Sequence, residues 1–179
     1  MNAESFVDYF NLIKPTPEEI LKSVSTVAPE IFDEILNEYD LKIISKDFHS
    51  QPLIDIIKNT NIADLYFSQL RFYNDCTNNS QLFVGDVIEK GELFFNRLTG
   101  EVSFVATDES FHNLEGNTDQ LDFLNFCIKY FELNFNKVFR NGLSTAFITQ
   151  NISLPREKVK KFPVFKVLLE EIGVSLDQF

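Results

Sequence analysis

The chain has 179 residues, a mass of 20.7 kDa and a formal net charge of −11, because 27 acidic residues outnumber 16 basic ones. A protein that binds nucleic acid by neutralising phosphates needs the opposite balance, so we expect no DNA or RNA ligand. Hydrophobic residues make up 44% of the chain and charged residues 24%, which excludes wholesale disorder. The length fits one domain over residues 1–179.

The sequence lacks targeting features. Its first residues have neither the basic nor the apolar region of a secretory signal, and no apolar run approaches the about 20 residues of a membrane span. Cys76 and Cys127 are too few for a disulfide framework and predict reduced thiols. Together with only two histidines they do not suggest a zinc site, and we expect no cofactor. These features predict a cytoplasmic protein with no membrane partner.

The first sixty residues are typical of helices joined by short connections. Thr16 before Pro17 has the form of a capped helix start. A second start at Pro29 precedes an apolar stripe, which predicts a core-facing helix: Ile31, Phe32, Ile35, Leu36 and Tyr39. Residues 42–45 predict a short strand, and residues 52–58 predict a short helix capped by Ser50.

The middle of the chain predicts a sheet. Four segments are rich in aromatic and β-branched residues: residues 64–72, 82–88, 92–96 and 101–107. Gly91 and Gly100 mark compact connections, and strands joined by such short loops pair antiparallel. Val102, Phe104 and Ala106 alternate with residues of the other face, so one face is buried. The pattern predicts an α+β fold with a twisted antiparallel meander of four or more strands, flanked by helices.

A helical period returns after the meander. Asn117 and Gln120 have the spacing of a capping box and predict a helix over about residues 118–133. We expect one core from both regions: Phe32, Ile35, Leu36, Phe95, Val102, Phe104, Leu124 and Phe131. Residues 1–136 carry 23 acids and 9 bases, whereas residues 137–179 carry 4 acids and 7 bases. The basic stretch at 156–161 is interpreted as a solvated helix face that could dock on the acidic part, and a last helix should end at Gly173.

Candidate chemistry is sparse. The sequence has no nucleophile-elbow, zinc-protease, Walker or dinucleotide-binding motif, and neither His49 nor His112 has a recognisable nucleophile to serve. Acidic residues crowd the meander and its exit: Asp86, Glu89, Glu92, Glu101, Asp108, Glu109 and Glu115. One interpretation is a solvated rim, and the other is a docking face for a basic protein. A metal site at Asp108 and Glu109 is disfavoured because adjacent residues in a strand point apart.

Three stretches together resemble the SUKH superfamily, which includes bacterial toxin-immunity proteins and a fungal cell-wall-synthesis regulator. They are the helix at 28–39, the strand at 82–86 that ends in Gly-Asp, and the hairpin at 91–109 with its Thr-Gly turn and acidic end. The helix from Thr118 is similar to the one that closes the family's fold. The match covers roughly residues 15–135, and the helical extension at 136–179 has no counterpart. The turn after Tyr39 and the absence of Trp depart from the family pattern.

The resemblance implies helices packed on a twisted antiparallel sheet and, for most bacterial members, neutralisation of a toxin, often a nuclease. An acidic surface would complement the basic face of such a toxin domain. We therefore expect a non-catalytic cytoplasmic immunity protein, a monomer or weak dimer, that binds through the acids of the meander. Glu92 and Glu101 are expected to lie near each other across the hairpin. The alternatives are a regulatory or scaffold protein of the same family and an unrecognised carboxylate-based enzyme.

Overall fold

The computed structural model describes residues 1–24, 28–66, 68–74, 80–140 and 154–175. The helices described are α1 (Ala3–Ile13), α2 (Pro17–Ser23), α3 (Pro29–Glu38), α4 (Pro52–Asn59), α5 (Gln120–Phe139), α6 (Arg156–Lys160) and α7 (Pro163–Glu171). The strands are β1 (Leu70–Phe72), β2 (Gln81–Val87), β3 (Gly91–Asn96), β4 (Glu101–Ala106) and β5 (Gly116–Asp119). Two 3₁₀ turns, Ile62–Asp64 and Glu109–Leu114, complete the described elements.

All five strands form one antiparallel sheet in the order β1-β2-β3-β4-β5. The predicted α+β fold with an antiparallel meander is therefore confirmed. The first strand is shorter than predicted, since residues 62–64 form a 3₁₀ turn and the strand that pairs with β2 is Leu70–Phe72. The fifth strand was not predicted, and its Thr118 is buried opposite Val102.

Local side-chain caps decide where several helices begin. Thr16 and Glu19 form a reciprocal capping box at α2, as predicted. The predicted cap of α4 by Ser50 is wrong, because Gln51 is the N-cap residue and its amide donates instead to the Arg97 carbonyl at 2.7 Å. The predicted capping box at Asn117 is also wrong: Asn117 lies in β5, and the Asp119 carboxylate caps α5 by accepting from the Leu121 amide.

The core lies between the sheet and the long helix α5. Phe95, Val102, Phe104, Leu124 and Phe131 are all at most 1% exposed, as predicted for the core. The other three predicted core residues are only partly buried, so that part of the prediction is wrong: Phe32, Ile35 and Leu36. Ile31, in the same stripe, is 45% exposed.

Tyr39, the residue that follows helix α3, packs against the core. The Tyr39 ring makes edge contacts with Phe135 and Phe139 of α5, with centroids 5.7 and 5.4 Å apart. After it, the predicted strand at 42–45 is reduced to one bridge between Ile43 and Thr60. A helical stripe predicts which face is apolar, but the extent of its burial depends on the tertiary neighbours.

The C-terminal helices share the core of the rest of the chain. The rings of Phe126 and Phe165 stack with centroids 3.6 Å apart, and Phe162 packs edge-on against Phe165. Lys158 of the basic stretch forms an ion pair with Asp122 of α5 at 2.7 Å. Helix α5 continues through position 136, and α7 is followed by Gly173 at φ +77°, as predicted for a helix end. Among the described helices, none combines the length and apolarity needed to cross a membrane.

Candidate functional site: the outward face of the sheet

The strands alternate between a buried face and a solvent-facing one. The cross-strand pairs of the solvent-facing side define what we call the outward face: Arg71, Phe83, Asp86, Glu92, Phe94, Asn96, Glu101, Ser103, Val105, Asn117 and Asp119. These residues are all exposed or partly exposed, whereas their chain neighbours in β3 and β4 are mostly buried. The outward face thus exposes side chains from all five strands.

Three of the six predicted binding residues lie on the outward face, namely Asp86, Glu92 and Glu101. The other three lie in connections: Glu89 in the β2–β3 turn, and Asp108 and Glu109 at the 3₁₀ turn after β4. The face gains Asp119, which pairs with Glu101 across β4 and β5. It therefore carries four carboxylates, against one cation, Arg71, at its paired positions.

The expected proximity of Glu92 and Glu101 is wrong. The β3–β4 register sets Glu92 opposite Val105 and Glu101 opposite Asn96. Glu92 is therefore level with a residue four positions along β4 from Glu101, which separates the two carboxylates by about 13 Å along the strands. They mark the two ends of the hairpin, so a partner that contacts both must cover its length.

Asp86 is held by a cluster within the face. The Arg71 guanidinium donates two hydrogen bonds to the Asp86 carboxylate, at 3.0 and 3.1 Å, and the Tyr73 hydroxyl donates a third at 3.0 Å. The bond to Asp86 raises the pKa of Arg71, whereas the pKa of Tyr73 is raised by its partial burial and then by the same carboxylate. The charge of Asp86 is already balanced by Arg71, and the pair holds β1 against β2.

The other three carboxylates of the face differ in whether they have a hydrogen-bond partner. Asp119 serves as the N-cap of α5. For Glu92 and Glu101, by contrast, no hydrogen bond or ion pair joins the carboxylate to any residue in the described part of the chain. A carboxylate without an internal partner keeps its full capacity to bind a cation from outside.

An aromatic row crosses the same face, although none of its residues was predicted as part of a binding site. The Tyr73 and Phe83 rings stack with centroids 5.1 Å apart, and Phe83 meets Phe94 at 5.8 Å. All three are partly exposed. The signal was present in the Phe94-Phe95 pair, because adjacent strand residues point to opposite faces and one of two consecutive phenylalanines must face outward.

Asp108 has a structural task. Its carboxylate accepts from the Ser110 amide at 2.8 Å and from the Ser110 hydroxyl at 2.6 Å, and these two bonds lower the pKa of Asp108. It thereby caps the 3₁₀ turn after β4. Within the residues that the structure describes, no three His, Cys, Asp or Glu side chains converge as a metal-binding group.

The other candidate reactive groups lie apart from the outward face. Cys127 is buried in α5, and burial raises the pKa of its thiol well above the usual value. Cys76 lies outside the described residues. His49 lines a cleft of about 250 Å³ beside Asp55, whose carboxylate already accepts from the Ala3 amide and from a neighbouring side chain. His112 is exposed in the 3₁₀ turn.

A comparison of the chain with protein-family models, curated proteins and solved structures found no match. The resemblance to the SUKH superfamily therefore stays a prediction.

Proposed function

We propose that this protein is a non-catalytic binding module that captures a basic protein partner on the outward face of its sheet. The observation that carries the proposal is that Glu92 and Glu101 stand on this face without a partner in the described residues, while its one cation is tied to Asp86. A basic surface would supply the charges that the fold itself does not.

The two components of the face have different tasks in binding. Unpaired carboxylates steer a basic partner toward the face and favour fast association. The partly exposed rings of Phe83 and Phe94 offer apolar area, which supplies affinity once the two surfaces meet. The separation of Glu92 and Glu101 along the hairpin sets the footprint of the contact.

The resemblance to the SUKH superfamily supports a particular partner. In this proposal the module is a cytoplasmic immunity protein, and its partner is a basic toxin domain such as a nuclease, whose phosphate-binding surface would be covered in the complex. A regulatory or scaffold protein of the same family would use the same face for a partner of the host cell. The identity of the partner separates these two roles.

The test is to co-express the protein with a toxin domain encoded beside its gene, and to measure cell survival and the association rate at two salt concentrations. We expect protection from the toxin and an association rate that falls as salt rises, because screening limits surface charge to about 8 Å at physiological ionic strength. The double variant Glu92→Lys and Glu101→Lys should associate at least about tenfold more slowly.

The matched control reverses two exposed carboxylates on helices, Asp8→Lys and Asp33→Lys, which changes the net charge equally. This control should keep most of the association rate. Equal slowing by both variants would mean that only net charge matters, and binding that ignores salt and both reversals would remove the outward face from consideration.

A further inference from the structure

Phe94 lies between Glu92 and Glu101, the two carboxylates of the face without a partner among the described residues. Along β3 it lies two residues from Glu92, a distance of about 7 Å. Across the sheet its neighbours are Phe83 on β2 and Ser103 on β4. Glu101 lies two residues from Ser103 on β4 and is therefore a diagonal neighbour of Phe94. A group that rests on the Phe94 ring is therefore within reach of carboxylates at both ends of the hairpin.

The Phe94 ring has an aromatic neighbour on one side and a small polar neighbour on the other. Phe83 covers the β2 side of Phe94, with the two rings tilted by 56°. On the β4 side the facing residue is Ser103, whose short side chain leaves room above the sheet. Phe94 itself is partly exposed. The ring can thus be approached from outside without moving the strands.

The face already binds one guanidinium of its own. The Arg71 guanidinium donates from two nitrogens to Asp86, and the Tyr73 hydroxyl at the end of the aromatic row donates to the same carboxylate. The planar guanidinium thus pairs with a carboxylate of this face through two parallel hydrogen bonds, the geometry that it favours. Glu92 lies opposite Asp86 on the next strand and has the Phe94 ring two residues away, but no cation from the described residues pairs with it.

We propose that Phe94, with Glu92 beside it, is a platform for an arginine side chain of the basic partner, an inference that rests on the proposed function. The guanidinium lies over the ring while its N–H groups donate to the Glu92 carboxylate. Arginine fits better than lysine, because its planar group can stack and donate at the same time, whereas an ammonium is a compact and strongly hydrated charge.

A single-stranded nucleic acid is the rival ligand for exposed rings on a sheet, since bases stack on such aromatics. The surrounding charge disfavours it: Glu92, Glu101 and Asp119 would lie against the phosphates, and Arg71 is tied to Asp86. The observations therefore favour arginine, and an RNA oligonucleotide serves as an arm of the test.

The test uses the full-length protein labelled with ¹⁵N and two capped synthetic peptides of twelve residues, with four Arg or four Lys spaced by Gly and Ser. Chemical-shift titration gives both the location and the Kd. We expect shifts centred on β3 and β4, and a Kd for the Arg peptide about three- to tenfold below that for the Lys peptide. A uridine 12-mer should leave the spectrum unchanged.

Phe94→Leu removes the ring and keeps apolar bulk on the strand. It should raise the Kd of the Arg peptide to that of the Lys peptide and change the Kd of the Lys peptide by no more than about twofold. The variant Phe94→Tyr, which retains a ring, should keep the preference for the Arg peptide. The dispersion of the spectrum and a urea melt check that each variant is folded.

Two other results separate this inference from the proposed function. If both peptides bind equally, lose affinity in the Glu92→Lys and Glu101→Lys protein, and ignore Phe94→Leu, the platform is wrong while the acidic face stands. If binding survives the double reversal, the acidic face itself fails and the platform with it. Binding of the uridine 12-mer that requires Phe94 would overturn the arginine assignment.

Discussion

The two faces of the sheet are made by the same strands and have opposite properties. On the buried face, Leu93 and Phe104 are cross-strand partners and each is at most 1% exposed. One residue away, Glu92 and Val105 form an exposed pair. Neighbouring residues in a strand point to opposite sides. The inward-pointing residues therefore contribute to the core, and the outward-pointing residues are available for contact with a partner.

Stability and binding should therefore be separable by mutation in this protein. Removal of an inward side chain should weaken folding and affect binding only through folding. Removal of an outward side chain should do the reverse.

Phe104→Ala should lower the free energy of unfolding by about 3–5 kcal/mol, because it leaves a cavity beneath the sheet at a fully buried ring. The matched control is Phe32→Ala on α3, the same substitution at a partly exposed ring, which should cost about 1 kcal/mol. Urea melts of both variants measure the two losses. Equal losses would mean that α3 contributes as much to the core as the sheet does.

Gly85→Ala should cost about 1–3 kcal/mol, because a methyl group there has no room. Gly85 follows the irregularity in β2, and a Cβ atom at this position would lie 2.1 Å from the Arg71 carbonyl oxygen of β1. At Gly116 the nearest atom would be 3.3 Å away, so Gly116→Ala is the milder control. A thermal or urea melt distinguishes them, and a tolerated Gly85→Ala would show that β1 can move away from β2.

Much of this two-faced sheet was predictable from residue patterns. Alternation in β4 correctly predicted that Val102 and Phe104 are buried. The fifth strand was not predictable in this way, because its residues, Gly-Asn-Thr-Asp, are typical of turns and it forms only by pairing with β4. For α3, periodicity identified an apolar stripe but could not reveal that Phe32, Ile35 and Leu36 stay partly exposed.

The candidate site was predicted in composition and missed in arrangement. Counting acids around the meander identified Asp86, Glu92 and Glu101, but their relative positions depend on the register, which sets Asn96 opposite Glu101. The Arg71–Asp86 pair joins side chains 15 positions apart on two strands, so no local pattern indicates it. The sequence therefore indicated an acidic sheet, but the strand register and the side-chain contacts were needed to show which carboxylates are paired.

Glu19 contrasts with Glu92 and Glu101, because the Arg140 guanidinium binds its carboxylate at 2.9 Å. That bond is the main cause of the lowered pKa of Glu19. A lowered folded-state pKa contributes stability that is present above the usual carboxyl range and is lost as the pH falls through the folded pKa. Glu19→Gln should therefore cost about 1 kcal/mol or less at pH 7, with the difference from the native protein shrinking toward pH 3.

Urea melts at pH 7 and pH 3 measure this dependence, and Glu18→Gln, at the exposed neighbouring carboxylate, is the control that should change little at either pH. A loss for Glu19→Gln that is the same at both pH values would mean that the side chain acts by packing or capping and not through its charge.

The smallest expected effect on stability belongs to the double reversal Glu92→Lys and Glu101→Lys, at about 0.5 kcal/mol or less. Neither carboxylate has a partner to lose among the described residues. Glu101 faces Asp119 across β4 and β5, where like charges are unfavourable, so a lysine there replaces a repulsion with an attraction and can even stabilise the sheet. Urea midpoints should therefore stay level or rise slightly, while partner binding falls. A loss above about 1 kcal/mol would show that these carboxylates support the fold, and the contrast between the two faces would no longer hold at the positions where it matters for binding.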